Sequence, residues 1–175
     1  MTHVDWSALA QQMGTVRVID GGRAERGGTA IGYDAVARIV GEDVIVSAVE
    51  HHLTYELGSE LARSVLMVLR PYVAMERCLE IFRTSEDSET KASAICLLKD
   101  ISDRRVLEWL PEITSSADPA VRVWAVGVID QLLIMQNEIE LEEAMPFVTA
   151  LLNDPDAGVG ERAGQLMEMI KETYP

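Results

Sequence analysis

Cysteine is scarce in this chain. Its two cysteines, Cys78 and Cys96, form no C-x-x-C motif and offer no zinc spacing. Cys78 falls on an apolar stripe with Met75, Leu79 and Phe82 and reads as a buried thiol, because free cysteine behaves as a small hydrophobe. Proline is also rare, at six residues, while leucine, valine, alanine and glutamate are common, which leans the chain toward helix. Long apolar runs are missing. The most apolar, Leu61 to Leu69, contains Arg63 and falls well short of the ~20 residues that a membrane-spanning helix needs. The opening stretch MTHVDWSALAQQMG places polar residues and an aspartate before any apolar run, so no signal peptide and no membrane association are expected, and the expected location is cytoplasmic.

Bases are in short supply as well. Fifteen lysines and arginines face 29 acids, a net charge of −14. The deficit is uneven. Residues 1–40 sum to zero, whereas residues 130–175 carry ten acids against two bases. Such a field repels phosphate backbones and disfavours nucleic acid as a partner. It leaves two readings: solubility, or a surface that attracts a basic protein.

The usual catalytic signatures are lacking too. There is no G-x-S-x-G motif, and neither cysteine has an activating sequence context. Adjacent carboxylates such as Glu142-Glu143 diverge on a helix and read as a solvated face. Only three histidines are present. His52 and Glu56 share a helix face, as do His51 and Tyr55, but a catalytic zinc needs three ligands and the spacing is not H-E-x-x-H. A His52–Glu56 surface pair is the expectation, with no metal and no cofactor. Residues 22–29, GRAERGGT, have the frame of a phosphate-binding loop, but Gly28 stands where the lysine belongs. The segment reads as a flexible connector or a partner-contacting flap. Arg17, Arg23 and Arg26 make it locally basic, so it is expected to lie against the acidic helices.

What is present is organised in two parts, 1–41 and 42–175. Asp5 is an N-cap for a short helix over 5–13, followed by Gly14. Six of the twelve glycines fall in residues 14–32, with VRVI (16–19) as one short strand and TAI (29–31) as a second in a loose hairpin. Beyond this the spacing predicts helices only. Asp34 caps 35–40, Gly41 ends that segment, Asp43 caps a helix to about Leu57, and Ser59 or Glu60 starts another that Pro71 stops. The centre of the last, SVLMVL, is apolar almost all round, as expected of a helix covered on several sides.

The second half repeats. TKASAICLLKDI (90–101), VRVWAVGVIDQL (121–132) and VGERAGQLMEMI (159–170) align Ala94 with Ala125 and Ala163, Leu98 with Ile129 and Met167, and Ile101 with Leu132 and Ile170. These offsets are one face of a helix. Asp87, Asp118 and Asp156 stand before the three segments, and partner helices are expected over roughly 72–83, 104–115 and 142–153. SSADPAVRVWAVGVIDQLL (115–133) resembles the second half of a HEAT repeat, with its D-x-x-V-R-x-x-A-x-x-x-[IL] pattern. Residues 153–170 and 85–101 are more divergent copies, with Gly160 and Lys91 in the place of Arg122. The resemblance covers about residues 72–173, and 42–70 reads as one further divergent pair.

The resemblance implies an all-α short solenoid of antiparallel helix pairs behind an irregular glycine-rich N-terminal segment. It also implies a structural role for the acid–base pairs Asp118–Arg122 and Asp87–Lys91. Extended repeat surfaces commonly recognise proteins, so the expected function is non-enzymatic recognition of a basic partner. An inhibitor or immunity-like role is compatible with that. Trp124 stands where the other copies have Ser93 and Arg162, and these three positions are the candidate partner-binding residues. Trp109 is expected to pack with Leu107 and Leu110. Two alternatives stay open: an enzyme or cofactor handler with a pocket near His51–Glu56, and a homo-oligomeric structural subunit, which a broad apolar patch at residues 1–13 or 160–175 would favour.

Overall fold

A computed structural model describes residues 4–174. Asp5 opens the first helix, α1 (Trp6–Gln12). Its carboxylate accepts the Ala8 amide at 3.0 Å, one of the donors that a helix start leaves without an intrahelical partner. The next segment corrects the sequence reading. Strand β1 (Val16–Ile19) forms where expected, but its antiparallel partner is β2 (Gly22–Glu25), not residues 29–31. Ile19 pairs with Gly22, which leaves Asp20-Gly21 as a two-residue turn with Gly21 at φ 94°. Gly21 supplies the positive φ at the second turn position at no steric cost, and the tight turn fixes the hairpin locally.

Thr29 and Ile31 instead begin α2 (Thr29–Val40), which Gly41 ends. Asp34 therefore lies inside a helix and does not cap it. Its carboxylate accepts the Tyr72 amide at 3.0 Å, so it satisfies the first amide of a different helix, α5 (Tyr72–Thr84). Between them run α3 (Glu42–Leu53) and α4 (Ser59–Leu69). Gly41, not Asp43, precedes α3, and α3 stops short of the expected Leu57. Arg70 closes α4 at φ 40°, immediately before Pro71.

The remaining helices are α6 (Ser88–Ile101), α7 (Leu110–Thr114), α8 (Pro119–Asp130), α9 (Leu141–Leu152) and α10 (Ala157–Thr173). The single helix expected over 104–115 is broken. Residues Arg104–Trp109 wind as a tighter 3₁₀ segment, started by Asp103 accepting the Arg105 amide at 2.9 Å. Pro111, which has no N–H and clashes with a carbonyl one turn earlier, is placed at the start of α7 instead. After α8 the backbone widens, and the Gln136 amide donates to the Gln131 carbonyl at 3.0 Å.

Consecutive helices pack as antiparallel pairs, α3–α4, α5–α6, α7–α8 and α9–α10. The second helices α6, α8 and α10 stack on one another in order, and α2 packs on α3, α4 and α5. Ala94, Ala125 and Ala163 are fully buried, as are Leu98, Ile129, Ile101 and Leu132. The register holds in the third copy through Ala163 and Ile170, but Leu166 rather than Met167 is its fully buried residue. Cys78 is buried beside Met75 and Leu79, and that burial pushes its thiol pKa upward, away from reactivity. Trp109 packs on the core and lies with its ring 5.8 Å from that of Tyr72. No helix of the described residues is long and apolar enough to cross a membrane.

Candidate protein-interaction surface

The turns between paired helices share one device that the sequence reading missed. Ser85 Oγ accepts the Asp87 amide at 3.1 Å, Ser116 Oγ accepts the Asp118 amide at 3.2 Å, and Asp154 Oδ1 accepts the Asp156 amide at 2.9 Å. The second residue of each motif then caps the following helix. Asp87 accepts the Thr90 amide at 2.7 Å, Asp118 that of Ala120 at 2.9 Å, and Asp156 that of Gly158 at 3.0 Å. The signal was present as [S/D]-x-D at 85–87, 116–118 and 154–156.

This device redirects the bases. Asp118 is occupied by its cap and by the Ser88 hydroxyl, so the expected Asp118–Arg122 pair does not form. Arg122 reaches forward to the next repeat and holds Asp154 with two bonds of 2.7 Å, while donating to the Ser116 carbonyl at 2.7 Å. Both side chains are nearly covered, at 10% and 6% exposure. The Arg122 hydrogen bonds hold the Asp154 carboxyl below the usual carboxylate range. Likewise Asp87 caps α6, and no ion pair joins it to Lys91 among the described residues.

The three candidate partner-binding positions lie on α6, α8 and α10, and each reaches back to the repeat before it. Ser93 Oγ and the Tyr55 hydroxyl are 2.5 Å apart. The Lys99 ammonium sits over the Trp124 ring, 5.5 Å from its centroid. Arg162 donates to Asp130 at 3.1 Å and to Gln165 at 3.2 Å. Gly127 makes room for the second contact, since a Cβ there would stand 3.0 Å from Lys99 Cδ. Burial raises the Asp130 carboxyl above its usual range, against the pull of Arg162 and Lys99.

A turn-capped helix pair, repeated with one arginine bolting it to the next, is what a helical solenoid needs. A family model described as HEAT repeats matches residues 75–168. The chain belongs to the HEAT repeat family. No curated protein and no solved structure gives a match. HEAT repeats generally mediate protein–protein interaction, and the family is typically a non-enzymatic scaffold.

Elsewhere on this HEAT stack the sequence candidates have local duties. α3 ends at Leu53, so Glu56 no longer shares a helix face with His52 and their expected pair is absent. His52 is buried with Nδ1 3.2 Å from the Ser59 carbonyl, and His51 Nε2 is 3.1 Å from the Leu57 carbonyl. Both histidines hold the α3–α4 turn. Among the described residues no three His, Cys, Asp or Glu side chains are grouped to hold a metal. A cleft of about 530 Å³ is lined by Tyr72, Glu76, Glu80 and Trp109 and contains no histidine. In the phosphate-loop frame, residues 22–25 are strand β2, so no anion-cradling loop precedes α2.

The charges divide sharply. Nine arginines, from Arg38 to Arg162, each have a carboxylate within 4.0 Å. Arg17, Arg23 and Arg26, on or beside the hairpin, are exposed and form no ion pair among the described residues. At the other end Glu161, Gln165, Glu168 and Glu172 form one exposed strip along α10, at helical spacing. Among the described residues, Glu168 alone of its acids has a base, Lys171 at 2.8 Å.

Proposed function

We propose that this HEAT protein recognises a basic protein through the acidic outer side of its last repeat pair, without catalysis. The observation that carries the reading is the α10 strip, in which Glu161 and Glu172 are exposed carboxylates with no base within 4.0 Å among the described residues. Nearly every base of the repeat body is held in an internal ion pair, so the surplus carboxylates face solvent with unbalanced charge. Such a face steers a cationic partner and raises its association rate.

Ser93, Trp124 and Arg162, at equivalent positions on the stacked helices α6, α8 and α10, are the further contacts we assign to this recognition. Trp124 contributes the aromatic area typical of hot spots, with Lys99 holding its ring in place. Residues 42–175 act as the recognition body and residues 1–41 as an appended segment. An inhibitor or immunity-like role, neutralising a cationic protein in the cytoplasm, is the form of the function that this charge suits.

The test is capture from a lysate of the source cells by the wild-type protein and by Glu161→Lys/Glu172→Lys. The expected result is a basic protein that the wild type retains and the double variant releases, with unchanged circular dichroism. Equal retention by both proteins would contradict it.

A further inference from the structure

The two ends of the stack are finished differently. A solenoid needs terminal repeats with a polar outer face. The C-terminal end has one, in the α10 strip of glutamates. The N-terminal end does not. Its outer side is formed by α2 and α4, which touch each other. On α2, Val36, Ile39 and Val40 are 37%, 43% and 47% exposed. On α4, Leu61, Val65 and Val68 recur at helical spacing and are 70%, 42% and 70% exposed, while Leu66 on the opposite side is fully buried. This overturns the expectation that α4 is covered on several sides within the chain. Of the large apolar residues exposed in the described chain, Met135 alone lies beyond residue 68.

We infer that this end face binds the same face of a second copy of the chain. The occupant follows from charge. The molecule carries −14, and any two copies that met through their repeat bodies would bring like charge together. Residues 1–40 carry no net charge, and the exposed strips of α2 and α4 contain no acid between their apolar members. Here two copies meet with apolar surface to bury on both sides, and the acids at its margin, Glu42 and Glu60, are each beside an arginine. A two-fold arrangement of this kind is the commonest way for identical chains to close.

The hairpin completes the match. Residues 14–28 hold three arginines against Asp20 and Glu25, a positive segment on a strongly negative molecule. Among the described residues its arginines have no carboxylate within 4.0 Å, unlike every other arginine. Val18, near its tip, is 85% exposed. As an arm beside the apolar face, it supplies cations to the acidic body of the facing copy. The inference does not rest on the reading of α10, because it uses the opposite end of the stack.

The test is sedimentation equilibrium of the full chain from about 1 to about 100 µM, a span that covers moderate dimer affinities. The expected mass is twice the 19.3 kDa of one chain. Leu61→Asp/Val68→Asp is expected to give the single-chain mass with an unchanged helical spectrum, since both side chains are already largely exposed. Arg17→Glu/Arg23→Glu/Arg26→Glu, which leaves the apolar face intact, is expected to weaken the dimer at least tenfold. A single-chain mass for wild type across the range assigns the face to some other protein and overturns the inference. So does a dimer that neither set of substitutions weakens.

Discussion

Ala125 has no exposed surface and lies where α8 stacks on its neighbours. Ala125→Leu adds atoms to a filled contact and is expected to destabilise the fold by about 1–3 kcal/mol. Thermal denaturation checks this, at about 2–4 °C for each kcal/mol in a chain of this size. An unchanged melting temperature would show the register to be wrong. Arg122 and Asp154 make a second residue-scale test. Removing one partner of a buried, doubly bonded ion pair typically costs about 3–5 kcal/mol, so Arg122→Ala is expected to lower stability by more than Ser93→Ala. The pair also sets a pH dependence. Arg122 lowers the Asp154 carboxyl in the folded state, so its contribution is present above the unfolded carboxylate value, about 3.9, and is lost as pH falls through the lower folded value. The stability gap between wild type and Asp154→Asn is therefore expected to stay level from about pH 7 to pH 5 and to close below about pH 4. Urea titrations at each pH would reveal a gap that persists in acid, which would contradict the assignment. The buried alanines were legible because helical spacing marks them. The partner of Arg122 was not, because it lies a full repeat away and depends on a turn motif that claims Asp118 first.

At the scale of elements, caps differ in worth according to what their helix buries. Asp5 caps α1, which has no buried residue, whereas Asp118 caps α8, whose inner face is core. Asp118→Ala is expected to cost about 0.5–2 kcal/mol globally, and Asp5→Ala to fray α1 with little change in global stability. Hydrogen exchange resolves the two, with α8 amides losing protection in the first variant and only α1 amides in the second. Equal effects on the core from both would sink this reading. Helices over 72–101 and 119–173 could be read from aspartate caps, prolines and the alanine period. Three errors have specific causes. The Asp20-Gly21 turn outweighed the β-branched Thr29 and Ile31 in choosing the second strand. Asp34 has the residue type and spacing of a cap for its own segment, yet it serves the distant Tyr72 amide. Pro111 broke one expected helix into a 3₁₀ segment and α7.

For the molecule as a whole, the charge map was legible from composition, and the family from the repeated aspartate, arginine and alanine pattern. The division of labour between the ends was not, because exposure decides it. SVLMVL reads the same whether α4 is enclosed or forms an end, and the stack shows that it is an end. Recognition of a basic protein by the acidic last repeat is the function we propose. The most direct measurement is the affinity of the captured partner for wild type, Glu161→Lys/Glu172→Lys and Leu61→Asp/Val68→Asp. Each is measured at about 0.1 M and about 1 M salt, where the screening length drops from about 10 to about 3 Å. Tight binding is expected for wild type and for the α4 variant, lost in high salt and lost in the α10 variant. Binding that survives high salt and the α10 substitutions, yet fails in the α4 variant, would contradict it and place recognition at the apolar end.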